Sequence, residues 1–340
     1  MLRLALPSER QMEEPTLQFL DYCGLSVSRP NARAYTGSIS SMPGVSVLFQ
    51  RSSDIARKLE EGSADLGIMG MDYFLEERVD GGDSTLVLDA LGYGHCELVV
   101  GVPDSWIDVT TVADLADLAT EFHEGGRELR IATKYPRLTQ SFLMQRGINY
   151  FEIVGASGAM EVAPAMGYAD LIVDITSTGN TLRDNRLKTI DGGTIVKSQA
   201  CLVGNRKALG AEQSKLTVAK SLIAMIEGRL EARGYYSVIA NVRGASEAQV
   251  AARVLSKPHL AGVQGPTISK VFSKDGKTGW FSVTVVVPRG QLMQAIDHLG
   301  SIGSTGVTVL PAQYVFSGQS PAYSRLLGQL KQTPARGRRT

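Results

Sequence analysis

The sequence contains few of the residues that build disulfides, zinc sites or nucleophilic hydrolases. Its three cysteines are odd in number and far apart, which predicts reduced thiols and a cytoplasmic location instead of a disulfide framework. None of its four histidines has metal-ligand spacing or pairs with a cysteine in a zinc pattern. The sequence also lacks a Gly-x-Ser-x-Gly elbow for a serine nucleophile.

Charge of one sign and long apolar runs are missing as well. Lysine and arginine total 35 and aspartate and glutamate 34, so the net charge predicts neither a nucleic-acid nor a membrane partner. No apolar run approaches the roughly 20 residues that span a bilayer, and the N-terminus lacks the apolar core of a signal peptide. With 43% hydrophobic residues, the chain is expected to form a globular protein of two or three domains.

A loop rich in hydroxyl groups stands out in residues 173–185, which read VDITSTGNTLRDN. A strand-like run ends at Asp174, and a segment that could begin a helix follows the loop. An anion, most simply a phosphate, suits the N–H groups at such a point, although an ordinary capped helix is the alternative. It is not an ATP-binding P-loop, because no Gly-Lys-Ser/Thr follows. The loop residues that could bind the anion are Ser177, Thr178, Gly179, Asn180 and Thr181.

Strand-like and helix-like segments alternate through the first two hundred residues, which favours an α/β fold with a mostly parallel sheet. Residues 61–70 (EGSADLGIMG) and 166–177 (MGYADLIVDITS) share a glycine, the triplet Ala-Asp-Leu and an apolar strand. This internal similarity predicts two related lobes, although the triplet is common enough to recur by chance. In two such lobes the loops after the strands face one crevice, with residues 70–72 opposite residues 177–181.

Two cations follow another strand-like segment. Residues 129–133 read LRIAT, and Lys134 and Arg137 come directly after them. Two cations at the carboxyl end of a strand suit a polyphosphate ligand, whereas the plainer alternative is a solvated loop.

The pattern changes near residue 213. A helix predicted at 216–233 is followed by strands at 236–242, 266–272, 280–287 and 306–310, with helices beginning at Ser246 and Leu292. A turn at 274–277 joins the two middle strands. The order βαββαβ is that of the ferredoxin-like split motif, and such a small domain after a catalytic unit often binds a regulator.

The sequence resembles the ATP phosphoribosyltransferases, the enzymes of the first committed step of histidine biosynthesis. The resemblance extends from residue 2 to about residue 202, and the ferredoxin-like segment resembles the long form of the family to about residue 316. Glu-Val-Ala-Pro at 161–164 together with Ser-Thr-Gly-x-Thr at 177–181 is the most specific part. The stretches that carry the resemblance are LRLALPS, PGVSVLFQR, ADLGIMGMD, ATKYPRLT, AMEVAP, DITSTGNTLRDN and DGGTIVKSQACL.

This resemblance implies that N1 of the adenine of ATP displaces pyrophosphate from phosphoribosyl pyrophosphate, with Mg²⁺ on the diphosphate. The protein then needs mainly to hold two anionic substrates in line and to neutralise the leaving group. The loop of residues 177–181 is expected to donate to the 5′-phosphate, and Asp174 and Glu161 to accept from ribose hydroxyls. Four further residues are expected on the substrates: Arg51, Lys134 and Arg137 on phosphates, and Asp72 near the nucleotide.

The resemblance also implies a fold and a form of control. The expected fold is a two-lobed, periplasmic-binding-protein-like α/β catalytic unit followed by a ferredoxin-like C-terminal domain. Histidine is expected to bind the C-terminal domain as an inhibitor, with Thr267 as a contact, in a homo-oligomer that is a dimer or a hexamer. The predicted divisions are 1–93 with 182–212 for the first lobe, 94–181 for the second, 213–316 for the regulatory domain and 317–340 for a tail.

Two parts of the sequence depart from the family. The first loop reads Ser-Glu-Arg-Gln-Met at residues 8–12, where the family commonly has Ser-Gly-Arg-Leu or Lys-Gly-Arg-Leu, so a substrate role for Arg10 does not follow. The tail from Gly318 onward runs past the usual end of the family. It carries an apolar helical stripe and then a basic end that is expected to be disordered; the stripe is Tyr323, Leu326, Leu327 and Leu330.

Two other functions stay open at this point. A two-lobed small-molecule binding protein would share the build, but it normally carries a secretory signal and has no need of a ferredoxin-like domain. A catalytically inactive regulatory paralogue, or a transferase that acts on another acceptor, would share both the fold and much of the sequence.

Overall fold

The computed structural model describes residues 1–31, 33–155, 160–262, 265–272, 279–316 and 318–331. The first elements in chain order are β1 (Leu2–Pro7), α1 (Arg10–Tyr22), β2 (Val27–Ser28), β3 (Thr36–Ile39), β4 (Val45–Gln50), α2 (Ser52–Glu60), β5 (Leu66–Gly70), α3 (Met71–Glu77) and β6 (Ser84–Leu88). The next are β7 (Cys96–Pro103), α4 (Val112–Glu124), β8 (Leu129–Thr133), α5 (Pro136–Gln145), β9 (Phe151–Gly155), α6 (Ala163–Met166), β10 (Leu171–Thr176), α7 (Asn180–Asp184), β11 (Leu187–Ser198), β12 (Ala200–Asn205) and α8 (Arg206–Gly210). The last are α9 (Gln213–Ala232), β13 (Tyr235–Arg243), α10 (Glu247–Val254), β14 (Thr267–Lys270), β15 (Trp280–Pro288), α11 (Leu292–Ser301), β16 (Ser304–Pro311) and α12 (Pro321–Lys331).

Across the residues that the structure describes, the strands form three sheets. The first has the order β2-β3-β4-β1-β5-β12-β6, the second β11-β7-β10-β8-β9 and the third β14-β15-β13-β16. The chain divides into two compact units: Met1–Asp21 and Leu25–Ala219 with the segment from Arg325 onward, and Tyr22–Gly24 with Lys220–Ser324. The first unit contains the two larger sheets, and each of these with its helices is called a lobe below.

The two larger sheets share one topology. In the first lobe, β1 lies between β4 and β5 and runs parallel to both, and β12 adds an antiparallel strand beside β5. In the second lobe, β8 lies between β9 and β10 and runs parallel to both, and β7 adds an antiparallel strand beside β10. The predicted fold class, a two-lobed α/β unit with a ferredoxin-like domain, is confirmed.

The same set of hydrogen bonds recurs in each lobe at the start of the strand that has two parallel neighbours, β1 in the first lobe and β8 in the second. An arginine of that strand binds an aspartate and a glycine that precede a neighbouring strand: Arg3, Asp65 and Gly62 in the first lobe, and Arg130, Asp170 and Gly167 in the second. The aspartate accepts from the arginine backbone N–H at 2.7 and 2.8 Å, and the guanidinium donates to the glycine carbonyl at 2.7 and 2.9 Å, in the first and second lobe respectively. The aspartates are those of the two Ala-Asp-Leu triplets, so the internal similarity of the sequence corresponds to a repeated structural unit.

The core of the second lobe explains why its central strands are apolar without alternation. Leu171, Ile172 and Val173 of β10 are all fully buried, because side chains cover both faces of this sheet. The strand carries its apolar residues up to Asp174, which stands two residues before the strand ends at Thr176. The edge of the sheet that bears the polar loop is therefore supported by a rigid, buried strand.

The third sheet has the predicted ferredoxin-like order. Helices α10 and α11 pack on one face of it, with Val250, Val254 and Leu299 against Val283 and Val285. The predicted start of α10 at Ser246 is confirmed, since the Ser246 hydroxyl accepts from the backbone N–H of Gln249 at 3.2 Å. The turn predicted at 274–277 lies outside the described residues.

The sheet connections differ from the predicted divisions in three places. Strand β11 pairs with β7 in the second lobe, so the chain returns to the first sheet at Ala200, not at residue 182. The boundary of the C-terminal unit falls inside α9 at Lys220, seven residues after the predicted start at 213. The end of the tail is grouped with the first unit from Arg325 onward.

The helix predicted in the tail is α12. Its Leu326 is fully buried, the Arg325 guanidinium donates to the carbonyl of Val87 at 3.4 Å, and the Thr85 hydroxyl donates to Gln329 at 2.6 Å. Both partners belong to β6, the edge strand of the first sheet, so this end of α12 covers an exposed sheet edge. The basic end of the tail lies outside the described residues. Among those that are described, no helix combines the length and the apolar character needed to cross a membrane.

Candidate active site

The carboxyl edges of the two lobes meet at Asp72, in the first turn of α3. Its carboxylate accepts from the Tyr135 hydroxyl at 2.7 Å and from the Ser198 hydroxyl at 2.6 Å, and its side chain is buried. Tyr135 follows β8 and Ser198 ends β11, so both donors come from the second lobe. The prediction placed Asp72 near the nucleotide, opposite the loop of residues 177–181. In the structure Asp72 joins the lobes through these bonds, and its role near the nucleotide stays a prediction.

Glu76 makes a second connection one turn later on α3. Its two carboxylate oxygens accept from the backbone N–H groups of Arg137 at 2.8 Å and Leu138 at 2.9 Å. In return, Arg137 Nε donates to the Glu76 carbonyl at 2.7 Å. Sequence reasoning missed Glu76, although its spacing of four residues from Asp72 on one helical face was a usable signal.

Three of the predicted substrate residues share one electrostatic environment beside the strand ends of the second lobe. Burial raises the pKa of Asp174 to about 6, and the negative charge of Glu161 acts in the same direction. A hydrogen bond from the Ile175 N–H and the positive charge of Lys134 oppose this rise. The charges of Lys134 and Glu161 thus both act on Asp174, and Lys134 is exposed at the end of β8.

The polar loop between β10 and α7 presents its hydroxyl groups to solvent. Ser177, Thr178 and Thr181 are exposed. Gly179 has a φ of +72°, and its N–H donates to the Thr176 hydroxyl at 2.9 Å. Glycine adopts this left-handed conformation at little cost, so the chain can turn sharply here. Helix α7 has only five residues, so the loop hydroxyls and N–H groups, not a helix dipole, must provide any anion binding.

Arg183 is a cation of this loop that the prediction left out. Its guanidinium donates to the Asn180 side chain and, at 3.5 Å, to the Thr178 carbonyl. The contact ties Asn180 to the protein and places a positive charge on the loop. The residue stood within the quoted stretch at 173–185, so its charge was the available signal.

Arg51 lies on the first lobe, at the N-cap position of α2, and is exposed. The next residue, Ser52, donates its N–H to the Glu9 carboxylate at 2.9 Å. Glu9 belongs to the loop of residues 8–12, which departs from the family pattern. Its carboxylate caps α2, whose own N-cap residue makes no side-chain hydrogen bond. Arg10 begins α1 and is exposed, so the altered loop still puts one cation on this edge.

Tyr73 lies between charged groups of both lobes. Burial raises the pKa of its hydroxyl, and the negative charges of Asp72, Glu9 and Asp174 raise it further, against a hydrogen bond with Tyr135. Its ring centroid is 5.6 Å from that of Tyr135. Tyr73 is half-buried and was not predicted, because an aromatic residue in a helical first turn is usually read as core.

The other predicted features are a metal ion and a regulatory contact. Within the described ranges, no three histidine, cysteine, aspartate or glutamate side chains form a group that could hold a metal ion. Thr267 begins β14, an edge strand of the third sheet, and is exposed. Burial raises the pKa of the Cys96 thiol to about 11, so this cysteine beside Ser198 is a poor nucleophile.

Comparison with known families identifies both parts of the chain. The family model described as ATP phosphoribosyltransferase matches residues 51–231. The model described as HisG, C-terminal domain, matches residues 232–314. The two matches are contiguous. Together they cover the part of the first lobe from residue 51 onward, the second lobe with its polar loop, and the third sheet.

Individual relatives agree. ATP phosphoribosyltransferase 2, chloroplastic, of Arabidopsis thaliana is 39% identical over 334 residues, 97% of this chain and 80% of that protein. The ATP phosphoribosyltransferase of Bradyrhizobium sp. (strain ORS 278) is 37% identical over 332 residues, 96% of this chain and 97% of the relative. A chain of the ATP phosphoribosyl transferase (HisG:HisZ) complex from Thermotoga maritima superposes with a TM-score of 0.51 at 27% identity, covering 67% of this chain and 99% of that one.

Proposed function

Since the chain belongs to the ATP phosphoribosyltransferase family, we propose that the edge where its two lobes meet holds ATP and phosphoribosyl pyrophosphate in line for the transfer. The enzyme condenses these substrates to phosphoribosyl-ATP and pyrophosphate, the first step of histidine biosynthesis. The main observation in support of this site is that the exposed hydroxyl loop of residues 177–181 lies beside the end of β8. Lys134 and Arg137 follow directly after that strand end. Strands β8 and β10 are parallel neighbours, so the loops that follow them adjoin.

The 5′-phosphate of phosphoribosyl pyrophosphate binds the loop of residues 177–181. The exposed hydroxyls of Ser177, Thr178 and Thr181 and the turn at Gly179 support this role, since hydroxyl and N–H donors close to a flexible backbone suit phosphate oxygens. Asn180 lies in the same loop and is held by Arg183.

The ribose and the remaining phosphates bind the neighbouring charged groups. Asp174 and Glu161 accept from ribose hydroxyls, and Lys134, Arg137 and Arg51 donate to phosphates. The exposure of the three cations supports this assignment, because a charge-assisted hydrogen bond needs a donor that the substrate can reach. Displacement at a sugar carbon passes through a cation-like state, so positioning and leaving-group neutralisation are enough, and no protein nucleophile is required.

Mg²⁺ enters as part of the substrate, on the diphosphate. Mg²⁺ usually keeps several waters and binds through substrate phosphates with one or two carboxylates, without a protein cage. On the diphosphate, the ion offsets the negative charge that develops on the leaving group.

Three further properties belong to the same proposal. Histidine inhibits the enzyme by binding the third sheet at Thr267, whose hydroxyl is exposed on an edge strand. The active form is a homo-oligomer, a dimer or a hexamer. The enzyme works in the cytoplasm, a location supported by its three free cysteines, because reducing compartments keep thiols unpaired.

The direct test is pyrophosphate release from ATP, phosphoribosyl pyrophosphate and Mg²⁺, followed in the wild type and in the double variant Thr178→Ala/Thr181→Ala. We expect the KM for phosphoribosyl pyrophosphate to rise at least tenfold, since each charge-assisted hydrogen bond contributes about 1.5–3 kcal/mol. Thr120→Ala is the matched control, an exposed threonine on α4 that bonds only within its own helix. Equal kinetics in the double variant and the control would exclude the loop as the phosphate site.

A further inference from the structure

Helix α5 lacks a side-chain cap of its own. Tyr135 occupies its N-cap position and makes no capping hydrogen bond. A cap normally accepts from the backbone N–H groups of the second and third helical residues, which here are Arg137 and Leu138. The Tyr135 hydroxyl is used elsewhere, on Asp72 at 2.7 Å.

Glu76 supplies the missing cap from the other lobe. Its two oxygens accept from those same N–H groups at 2.8 and 2.9 Å, although Glu76 precedes Arg137 by 61 residues. Glu76 is 8% exposed, so the bonds form away from bulk water and are strong. The cap of a second-lobe helix is therefore a residue of the first lobe.

Asp72 and Glu76 act as a pair because they are four residues apart on α3. Residues at this spacing share one face of a helix, and both carboxylates bind the segment that begins at Tyr135. Lys134 directly precedes this segment, and Arg137 lies within it. Arg137 spends its Nε on the Glu76 carbonyl at 2.7 Å, which fixes the plane of an exposed guanidinium and leaves its terminal nitrogens for a ligand.

We propose that Glu76, with Asp72 one turn before it, is a positioning residue for the transfer: it holds the segment of residues 134–138 so that Lys134 and Arg137 meet the anionic substrate bound between the lobes. This inference rests on the proposed function, in which those two cations bind phosphates. Glu76 acts through them and touches no substrate itself.

The chain offers a matched control for Glu76. Glu60, at the end of α2, also accepts from two successive backbone N–H groups, those of Asp83 at 2.8 Å and Ser84 at 3.1 Å. All three residues belong to the first lobe, and Glu60 lies at the end of α2 opposite to Arg51. Glu76→Gln and Glu60→Gln therefore cause the same loss, because in each variant an amide NH₂ group replaces a carboxylate oxygen that accepted from a backbone N–H. Only Glu76, however, contacts the segment of residues 134–138.

The test compares the two variants in the full-length protein. For Glu76→Gln we expect kcat/KM for phosphoribosyl pyrophosphate to fall by about 10- to 100-fold. We also expect faster amide hydrogen exchange in residues 137–145. For Glu60→Gln we expect kcat/KM within about twofold of wild type, whatever its melting temperature. Ser198→Ala removes one hydrogen-bond donor to Asp72 and should lower kcat/KM by a smaller factor. This variant replaces Glu76→Gln in the test if Glu76→Gln does not fold.

Normal kinetics in Glu76→Gln despite faster amide exchange would overturn the inference. Equal losses of kcat/KM in Glu76→Gln and Glu60→Gln would overturn it as well. If Glu76→Gln does not fold, unchanged kinetics in Ser198→Ala would overturn it. Calorimetric binding of Mg²⁺-phosphoribosyl pyrophosphate to the same variants separates this result from a failure of the proposed function. If the wild type binds this substrate but releases no pyrophosphate, the assigned reaction is wrong. The ratio of the substrate affinities of Glu76→Gln and Glu60→Gln then still decides the role of Glu76. If the wild type does not bind it, both proposals fail.

Discussion

Asp174 is the residue whose protonation state bears most directly on the proposed reaction. Burial, with a smaller contribution from the charge of Glu161, raises its pKa to about 6, against the charge of Lys134 and a hydrogen bond from the Ile175 N–H. A carboxylic acid in the unfolded chain titrates near 3.9, so the folded protein binds the extra proton and its stability decreases as the pH rises from about 4 to 6. Above pH 6 the group is a carboxylate that can accept from two ribose hydroxyls.

We expect kcat/KM for phosphoribosyl pyrophosphate to fall as the pH drops below about 6, because protonation removes an acceptor. Glu161→Gln deletes the charge that raises the Asp174 pKa and should move this limb to lower pH. Lys134→Met deletes the charge that lowers it and should move the limb to higher pH. The measurement is the pH profile of kcat/KM in the three proteins.

Substrate phosphates titrate near pH 6 as well. The shifts of the acidic limb in Glu161→Gln and Lys134→Met therefore decide whether this limb belongs to the enzyme or to the substrate. A limb at the same pH in all three proteins would belong to the substrate, and Asp174 would then have no part in it. Asp174→Asn provides the complementary measurement, since an enzyme-based limb disappears in that variant.

The site residues that could be predicted from the sequence are those that belong to a short local motif. The sequence predicts the loop of residues 177–181, Lys134 and Arg137 as site residues because each follows an apolar strand. The bonds of Asp72 could not be predicted in this way, since its partner Ser198 lies 126 residues away. Such pairs depend on how the two lobes meet, which local periodicity does not encode.

At the scale of elements, the repeated unit of a strand arginine, a glycine and an aspartate lies where a neighbouring strand begins. Strand β5 runs over Leu66–Gly70, directly after Asp65, whose carboxylate binds Arg3. Strand β10 likewise begins at Leu171, directly after Asp170. The strand end predicted at Asp174 lies two residues later, at Thr176. Apolar composition predicts that a strand exists, whereas polar side-chain contacts set where it starts.

The two copies of this unit should differ in their contribution to stability. Burial on its own raises the pKa of Asp65, but hydrogen bonds from Arg3 and Lys215 outweigh it and hold that pKa below its usual range. Asp170 has the same balance, with Arg130 and Arg127 as donors. The Asp65 side chain is 0% exposed and that of Asp170 9% exposed, while Arg127 is 50% exposed.

We expect Asp65→Asn to lower the free energy of unfolding by about 3 kcal/mol, toward the lower end for breaking a buried pair, because Arg3 is partly exposed. Asp170→Asn should lower it by about 1–2 kcal/mol, since solvent screens its partners. Urea unfolding at pH 7 measures both. Because a lowered carboxyl pKa stabilises the fold above the unfolded pKa, the difference from wild type should shrink as the pH falls below about 4. A larger loss for Asp170→Asn would contradict the ranking.

At the scale of the whole molecule, the chain combines a two-lobed transferase with a separate small unit built on the third sheet. That unit has its own core, in which Val238, Val242 and Val285 are buried between the sheet and its helices. Its strand order could be predicted from the sequence because four short strands and two helices each carry clear local signals. Local signals identify no ligand for this unit, and histidine is expected there only from the resemblance to the family.

Regulation through this unit gives the last prediction. Inhibition requires that histidine bind two states of the enzyme with different affinity, and a coupling of about 1–3 kcal/mol is typical. We expect histidine to lower the rate of the intact enzyme without competing with phosphoribosyl pyrophosphate, and Thr267→Val to weaken this effect at least fivefold while leaving the uninhibited rate unchanged. Thr308→Val is the matched control, an exposed threonine on β16, the opposite edge strand of the same sheet, and it should keep wild-type inhibition. The measurement is the histidine concentration for half-inhibition in the three proteins. Equal values for both variants would remove Thr267 from the site, and an intact enzyme whose rate and melting temperature ignore saturating histidine would leave the C-terminal unit with an assembly role.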